Sequence, residues 1–437
     1  MSTASVLPQS GFFGVWVVRA AFVLAMFGWG VGFYGPAIYL AQVITRTGWS
    51  LEMVSVAVTV HFLFGAIVVA NLPRLHAWMG LAPSIALGAV CTAIGVLGWA
   101  VVWQPWQLFV VALVGGAGWV MMGAVAVTAL VSRWYAAGRP VALGKAYNGA
   151  SIGGAVFAPL WVALIQGLGF PGAAALVGVV MVVVVAGLSV TVFSQTPERQ
   201  GQSVDGYAGA VVNVTPAASA GKTDAARPAA LPGKALWRDR AFLTLAIGMA
   251  IGLFAQIGLL AHLFKLLVPT LGAQNAGLLM GGGTACAIVG RAVAARAITY
   301  VGDRRVIAAA SYGMQAVGSA VLLFASPDGV WPIVLGVALV GAGIGNATSL
   351  PPLIAQTDFA TRDVPRVVAL IVAMSQGTYA FGPAVFGLLQ HSSAVDGPMT
   401  IGPDSRLLFA TALVIQVMAA AVYLAGRRRG SVDAKRL

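Results

Sequence analysis

Twelve mostly apolar stretches, each about 20 residues or longer, follow one another along this chain. They run roughly 13 to 44, 50 to 72, 82 to 103, 106 to 132, 141 to 167, 171 to 194, 241 to 268, 274 to 300, 306 to 325, 330 to 355, 365 to 390 and 406 to 426. A helix rises about 1.5 Å per residue, so each stretch is long enough to cross a hydrocarbon core of about 30 Å. Composition agrees: 59% of the residues are hydrophobic and 8% charged, with a mean hydropathy of +0.91. Soluble domains carry about a quarter charged residues. The expected fold class is therefore all-α and integral to a membrane, with twelve transmembrane helices. The first stretch is too long for a signal-peptide core and has no A-x-A-like cleavage site, so it is expected to be retained. Cys91 and Cys286 fall inside apolar stretches of different halves and read as small buried hydrophobes, with no disulfide and no metal site.

A net charge of +13 invites comparison with nucleic-acid binders, but the placement of the charge excludes that reading. Arg74, Arg133, Arg139, the segment from Arg199 to Arg240, Arg304, Arg305, Arg362, Arg366 and Arg427 to Arg429 all lie at one side of the alternating helix ends. The other side holds Arg46, Asp328, Asp396, Asp404, Arg406 and little else. Basic loops mark the cytoplasmic face, which predicts that both termini are cytoplasmic and that the lipid bilayer, not nucleic acid, is the partner.

Residues 195–238 interrupt the apolar pattern with a Gly-, Pro- and Ala-rich, charged segment that reads as a cytoplasmic linker. Residues 1–194 and 239–437 then form an N-terminal and a C-terminal six-helix bundle. RPVALGKAYNGASIGGAVFAPL from Arg139 matches RVVALIVAMSQGTYAFGPAVFGLL from Arg366, and each opens the fifth helix of its half. AWMGLAPSIALG from Ala77 matches TYVGDRRVIAAA from Thr299, each between the second and third helices. Two such repeats in corresponding places predict halves related by an axis along the membrane normal, with a site between them near mid-depth.

These motifs resemble the major facilitator superfamily, and within it the monocarboxylate and oxalate/formate transporter branch. GRAVAARAITYVGDRR is similar to the superfamily's G-x-x-x-D-R-x-G-R-R loop, with Gly302, Asp303, Arg304 and Arg305 present in altered order, and PRLHAWMGLAPS keeps only Gly80 of it. RWYAAGRPVALGKAYNGASIGG and GFYGPAIYLAQVITRTGWS are similar to further patterns of the branch. The resemblance implies transport by alternating access, a gating role for Gly302, Asp303, Arg304, Arg305 and Arg139, and a substrate carboxylate bound by the arginine of the eighth helix. Two departures stand out. Where the branch commonly has a Lys after the first-helix Pro, Ala37 follows Pro36, and where some members carry an Asp one turn before the arginine, this chain has Ala287.

That arginine is Arg291, twelve residues before Asp303, roughly 18 Å along the helix axis. Arg296 lies close enough to the interface to snorkel, as does Arg19 in the first stretch, whereas Arg291 is too deep. A charge at that depth costs at least about 2.5 kcal/mol unless it faces water or a partner. All 12 acidic residues sit at helix ends, in loops or in tails, so none is a permanent intramembrane partner. A planar fork of donors suits a carboxylate. Thr284, Ala287 and Ile288 share its helix face and predict a small-walled pocket beside it.

The other polar residues in apolar stretches carry weaker signals. His262 is placed with the substrate or at the outer interface, and His61 is read as a packed, hydrogen-bonded histidine. Tyr34, Asn148, Asn346 and Tyr379 are expected to line the pocket because the first, fifth, tenth and eleventh helices face the cavity in the superfamily. GGG at 281–283 lacks a following Lys-Ser/Thr and reads as close helix packing rather than a phosphate loop. No cluster of nucleophile, base or metal ligands supports an enzyme, and no cofactor is expected. The expectation is a monomeric secondary transporter of a small organic anion such as lactate or pyruvate in a bacterial inner membrane. If neither His262 nor His61 titrates, coupling to protons needs the substrate itself to carry them. Efflux of hydrophobic compounds and a transporter-like receptor remain the alternatives.

Overall fold

The computed structural model describes residues 11–206, 234–360, 363–391 and 400–427. Most of the expected linker, 207–233, lies outside the described residues, as do Arg362, Asp396, Arg428 and Arg429. The first span is α1 (Gly14–Phe27), a π-helical segment Gly28–Phe33 and α2 (Gly35–Thr47). α3 (Leu51–Met79) and α4 (Leu81–Val101) follow, then α5 (Pro105–Met121) with α6 (Ala124–Trp134) as the fourth span. The long helix α7 (Arg139–Leu188) completes the first half.

The second half comprises α8 (Arg240–Leu271), α9 (Ala273–Val301) and α10 (Arg304–Phe324), then α11 (Val330–Ala347) with α12 (Leu350–Asp358). α13 (Val364–Tyr379) with α14 (Gly382–His391), and finally α15 (Arg406–Ala425), end it.

Among the described residues, eleven apolar stretches of helix are long enough to cross a membrane. The stretch Val141–Phe193, at 53 residues, would extend about 80 Å if straight. It is broken at Gly169 (φ 69°, ψ 166°), just before Pro171, and makes two crossings. The chain therefore crosses twelve times and both described ends lie on one side, here called the terminal side and its opposite the distal side. Gly80 (φ 88°) and Gly302 (φ 72°) occupy the same joint in the two halves, between the second and third helices, as the repeat predicted.

Four spans expected as single helices are interrupted, and in three of them proline supplies the reason. Pro36, Pro351 with Pro352, and Pro383 each remove a backbone donor near the break. In the first span the Gly32 carbonyl, which Pro36 cannot serve, accepts a hydrogen bond from His61 Nε2 at 2.9 Å, and the Val31 carbonyl accepts one from Tyr39 Oη at 3.1 Å. The break is thereby satisfied from a neighbouring helix and from its own next turn.

Small residues set how closely helices approach. A Cβ on Gly149 or Gly153 would lie 2.0 and 2.3 Å from the carbonyl oxygens of Phe22 and Met26 on α1. Added at Gly341 or Gly345, it would lie 2.0 and 2.3 Å from those of Gly283 and Ala287 on α9. Each pair is spaced by four, so one face of α7 is pressed onto α1 and one face of α11 onto α9. The face of α7 carrying Ser151 and Gly154 is left for α9.

The halves meet on the distal side. α2 packs on α8 and α14 on α3, where the backbone N–H of Ala384 donates to Thr59 Oγ1 at 3.2 Å. On the terminal side α6 and α12 pack chiefly within their own halves. Val141, Gly144, Lys145 and Asn148 continue the face of α7 that packs on α9 one turn further in, and all four are exposed. The conformation is open toward the terminal side and closed toward the distal side.

Candidate functional site

Arg291 is half-buried on α9, and its guanidinium donates to the hydroxyl of Ser151 on α7. Ser151 is 4% exposed. One turn distal, a Cβ on Gly154 would lie 2.7 Å from Tyr34 Cε2 and 2.8 Å from Thr284 Cγ2, so the absent side chain lets Tyr34 and Thr284 close over α7. The stem of Arg291 rests on Gly345 of α11, where an added Cβ would be 3.0 Å from Cγ. Arg291, Ser151, Gly154, Tyr34 and Thr284 thus converge where the first, fifth and eighth spans meet.

Above this cluster the walls turn apolar. A narrow cavity of about 20 Å³, room for about one water molecule, is lined by Tyr34, Phe33, Val58, Phe62, Leu260 and Met280 among others. Tyr34, Phe33, Phe62 and Tyr379 form a continuous edge-to-face series with ring centroids 5.0, 5.9 and 5.9 Å apart, which carries the wall from the first half to the second. The site therefore faces the terminal side as a cationic group backed by hydrocarbon.

The predicted residues divide. Tyr34 and Tyr379 lie on the wall. Asn148 is exposed on the open vestibule, about 4.5 Å along α7 from Ser151. His262 and Asn346 are elsewhere. His262 is fully buried on α8 and donates through Nε2 to the Pro383 carbonyl at 2.8 Å, so it is neither at an outer interface nor turned to the cavity. Asn346 is 4% exposed and its amide joins α11 to α10 and α9 through Ser311 Oγ (3.1 Å) and the Gly290 carbonyl (3.4 Å). The small-walled pocket expected at Ala287 is also corrected: Ala287 is 1% exposed, its carbonyl packed against Gly345. His61 is the packed histidine that was expected.

Asp303, Arg304 and Arg305 staple the terminal side of the second half. Arg305, 3% exposed, donates to Asp358 (2.7 Å), Thr244 Oγ1 (3.0 Å) and the Ala241 carbonyl (2.8 Å). Asp303 caps α10 and pairs with Arg427 at 2.7 Å, and Arg304 donates to the Leu353 carbonyl. Arg139 is apart from them, bonded to the Tyr135 carbonyl of its own half at 3.0 Å. The residues that sequence reasoning missed are Ser151, Phe33, Phe62 and the start of the linker. There Asp205 accepts the backbone N–H groups of Ala136, Ala137 and Gly138 (3.1, 2.8 and 3.1 Å), and Gln202 bridges Phe13 N and Gly11 O. Ser151 lies inside the small-residue run that signalled the repeat, so its position was visible and its partner was not.

The model of the Major Facilitator Superfamily matches residues 20–383. The chain belongs to that superfamily of membrane transporters. Among solved structures its fold is similar to that of the nucleoside transporter NupG, with a TM-score of 0.69 at 13% identity over 95% of this chain and 98% of that one. It is also similar to a bacterial homolog of the human lysosomal transporter Spinster in an inward-facing, occupied conformation, with a TM-score of 0.65 at 15% identity over 96% and 97%. No curated protein matches the chain. At these identities the likeness is one of fold, and the twelve-crossing major facilitator architecture is what it establishes.

Proposed function

We propose that this major facilitator carries small monocarboxylates by alternating access, with the terminal side cytoplasmic and Arg291 as the residue that takes the carboxylate. The observation that carries this reading is the state of Arg291. A guanidinium held at mid-depth is bonded to a neutral hydroxyl of the other half and reaches the open vestibule. Buried charge of this kind is retained at a cost and marks substrate paths. A single cation backed by an apolar wall suits one carboxylate on a small apolar body, because a second carboxylate would be left against Phe33, Phe62 and Leu260.

The test is uptake of radiolabelled pyruvate or lactate into proteoliposomes. Arg291→Ala is expected to abolish saturable uptake while insertion and folding persist, and Arg291→Lys to retain only a fraction, since a point charge cannot grip both oxygens. Persistence of transport in Arg291→Ala with an unchanged KM would remove the assignment. Uptake with accumulation also separates a carrier from a receptor of the same fold.

A further inference from the structure

We propose that Ser151 is the resting partner of Arg291, a neutral acceptor supplied by the opposite half that an incoming carboxylate displaces with no proton taken up or released. The inference rests on Arg291 being the carboxylate-binding residue. The hydroxyl and the guanidinium come from α7 and α9, so their hydrogen bond joins the two halves.

Its register matters. Distal to it the helices are in contact: a Cβ on Gly281 would lie 2.5 Å from the Ala155 carbonyl oxygen, and Gly154 accommodates Tyr34 and Thr284. On the terminal side Asn148, Lys145, Gly144 and Val141 are exposed. Ser151 is therefore the innermost contact of this face before the vestibule, and an anion that has passed Lys145 from the terminal side meets the Arg291 and Ser151 pair where the vestibule ends.

The exchange is favourable on the chemistry of the two acceptors. A guanidinium offers five donors, of which a hydroxyl takes one in a bond to a neutral group. A carboxylate takes two in parallel, both charge-assisted and each roughly twice as strong. Ser151, once released, keeps a hydroxyl able to turn to water in the vestibule.

Among the described residues, none of the groups that face Arg291 is a carboxylate. The first span presents Tyr34 and α7 presents Lys145. α11 contributes Gly345 and Asn346, which do not titrate. α8 contributes His262, whose Nε2 is bonded to the Pro383 carbonyl, and α10 contributes Tyr312, stacked on Tyr423 at 5.7 Å. On α9 itself, Cys286 lies five residues away on the opposite face. The acidic residues that the structure describes stand at helix ends, in turns or in loops. An internal carboxylate partner would have to be protonated to release Arg291, whereas Ser151 has only to rotate. Binding of a monoanion is then independent of pH, which fits exchange or uniport rather than proton symport through this arginine.

The experiment is equilibrium binding of radiolabelled pyruvate, a monoanion throughout, to the purified full-length protein at pH 6, 7 and 8. Wild type is expected to show less than about a twofold change in Kd across that range. Ser151→Ala removes the competitor and should bind about five- to tenfold tighter at every pH. Ser151→Asp supplies a charged partner and should bind more weakly, with affinity rising toward pH 6. Weaker or unchanged binding by Ser151→Ala, or a tenfold loss of wild-type affinity from pH 6 to pH 8, overturns the proposal while leaving Arg291 in its role. If neither pyruvate nor any member of a panel of carboxylates binds wild type, the carboxylate reading falls and the proposal falls with it. Should Ser151→Asp fail to fold, the alanine variant and the wild-type pH series decide the matter.

Discussion

His61 and Gly32 are joined across two helices: Nε2 of His61 lies 2.9 Å from the carbonyl oxygen that Pro36, four residues after Gly32, cannot serve. A carbonyl without a donor in a membrane interior costs several kcal/mol, so the histidine makes the break in the first span tolerable. That break carries Phe33 and Tyr34 into the wall of the site.

Replacing His61 with Leu should destabilise the protein by about 1 to 3 kcal/mol, the cost of an orphaned buried acceptor. A lower melting temperature in detergent would show it. His61→Gln keeps a donor and is expected to recover much of the loss. Equal stability of the Leu variant and wild type would mean that another donor reaches Gly32.

Arg305 holds Asp358, Thr244 and the Ala241 carbonyl together while being 3% exposed. Arg305→Ala leaves Asp358 without its charge partner, and a loss of about 3 kcal/mol is expected. The double variant Arg305→Met with Asp358→Leu should regain most of it, because both charges leave together. Denaturant unfolding of wild type, Arg305→Met, Asp358→Leu and the double variant measures the coupling, and additive losses would contradict it.

Gly154→Val places atoms where Tyr34 and Thr284 already stand, since even a Cβ would be 2.7 and 2.8 Å from them. Overpacking of this kind costs about 1 to 3 kcal/mol. The displaced Tyr34 should lower kcat/KM for pyruvate uptake by at least about tenfold. An active Gly154→Val protein would show that Tyr34 is not needed where it sits.

The Asp205 carboxylate gathers three successive N–H groups of the loop between α6 and α7. Asp205→Ala should weaken this clasp by about 1 to 2 kcal/mol. Faster amide exchange at Ala136 to Gly138, together with faster tryptic cleavage at Arg199, is the expected signature. Unchanged exchange would indicate that the loop holds its shape without the linker.

Much of this architecture is legible in the residues alone because lipid forces the backbone to satisfy itself, so a run of apolar residues has almost no structure open to it but a spanning helix. The repeat was visible for the same reason: equivalent joints need equivalent residues, as Gly80 and Gly302 show. The breaks were harder. Pro36 and Pro383 were in plain sight, but whether a proline kinks or ends a helix depends on partners arriving from elsewhere, such as the His61 donor for the Gly32 carbonyl and the Thr59 acceptor for the Ala384 N–H. His262 and Asn346 looked like site residues because a polar group in hydrocarbon needs a partner, and the sequence is silent on whether that partner is a ligand or a backbone carbonyl.

The residues by themselves determined that the chain spans a membrane in two similar halves and pointed to Arg291 as the arginine expected too deep to snorkel, because these follow from length, charge placement and helical rise. Tertiary structure alone decided what that arginine touches. Ser151 and Arg291 are 140 positions apart, and their meeting depends on how Gly149 and Gly153 turn α7 against α1 and how Gly341 and Gly345 seat α11 on α9. Such contacts depend on backbone distances of a few ångströms between helices, a quantity that no periodicity along the chain encodes.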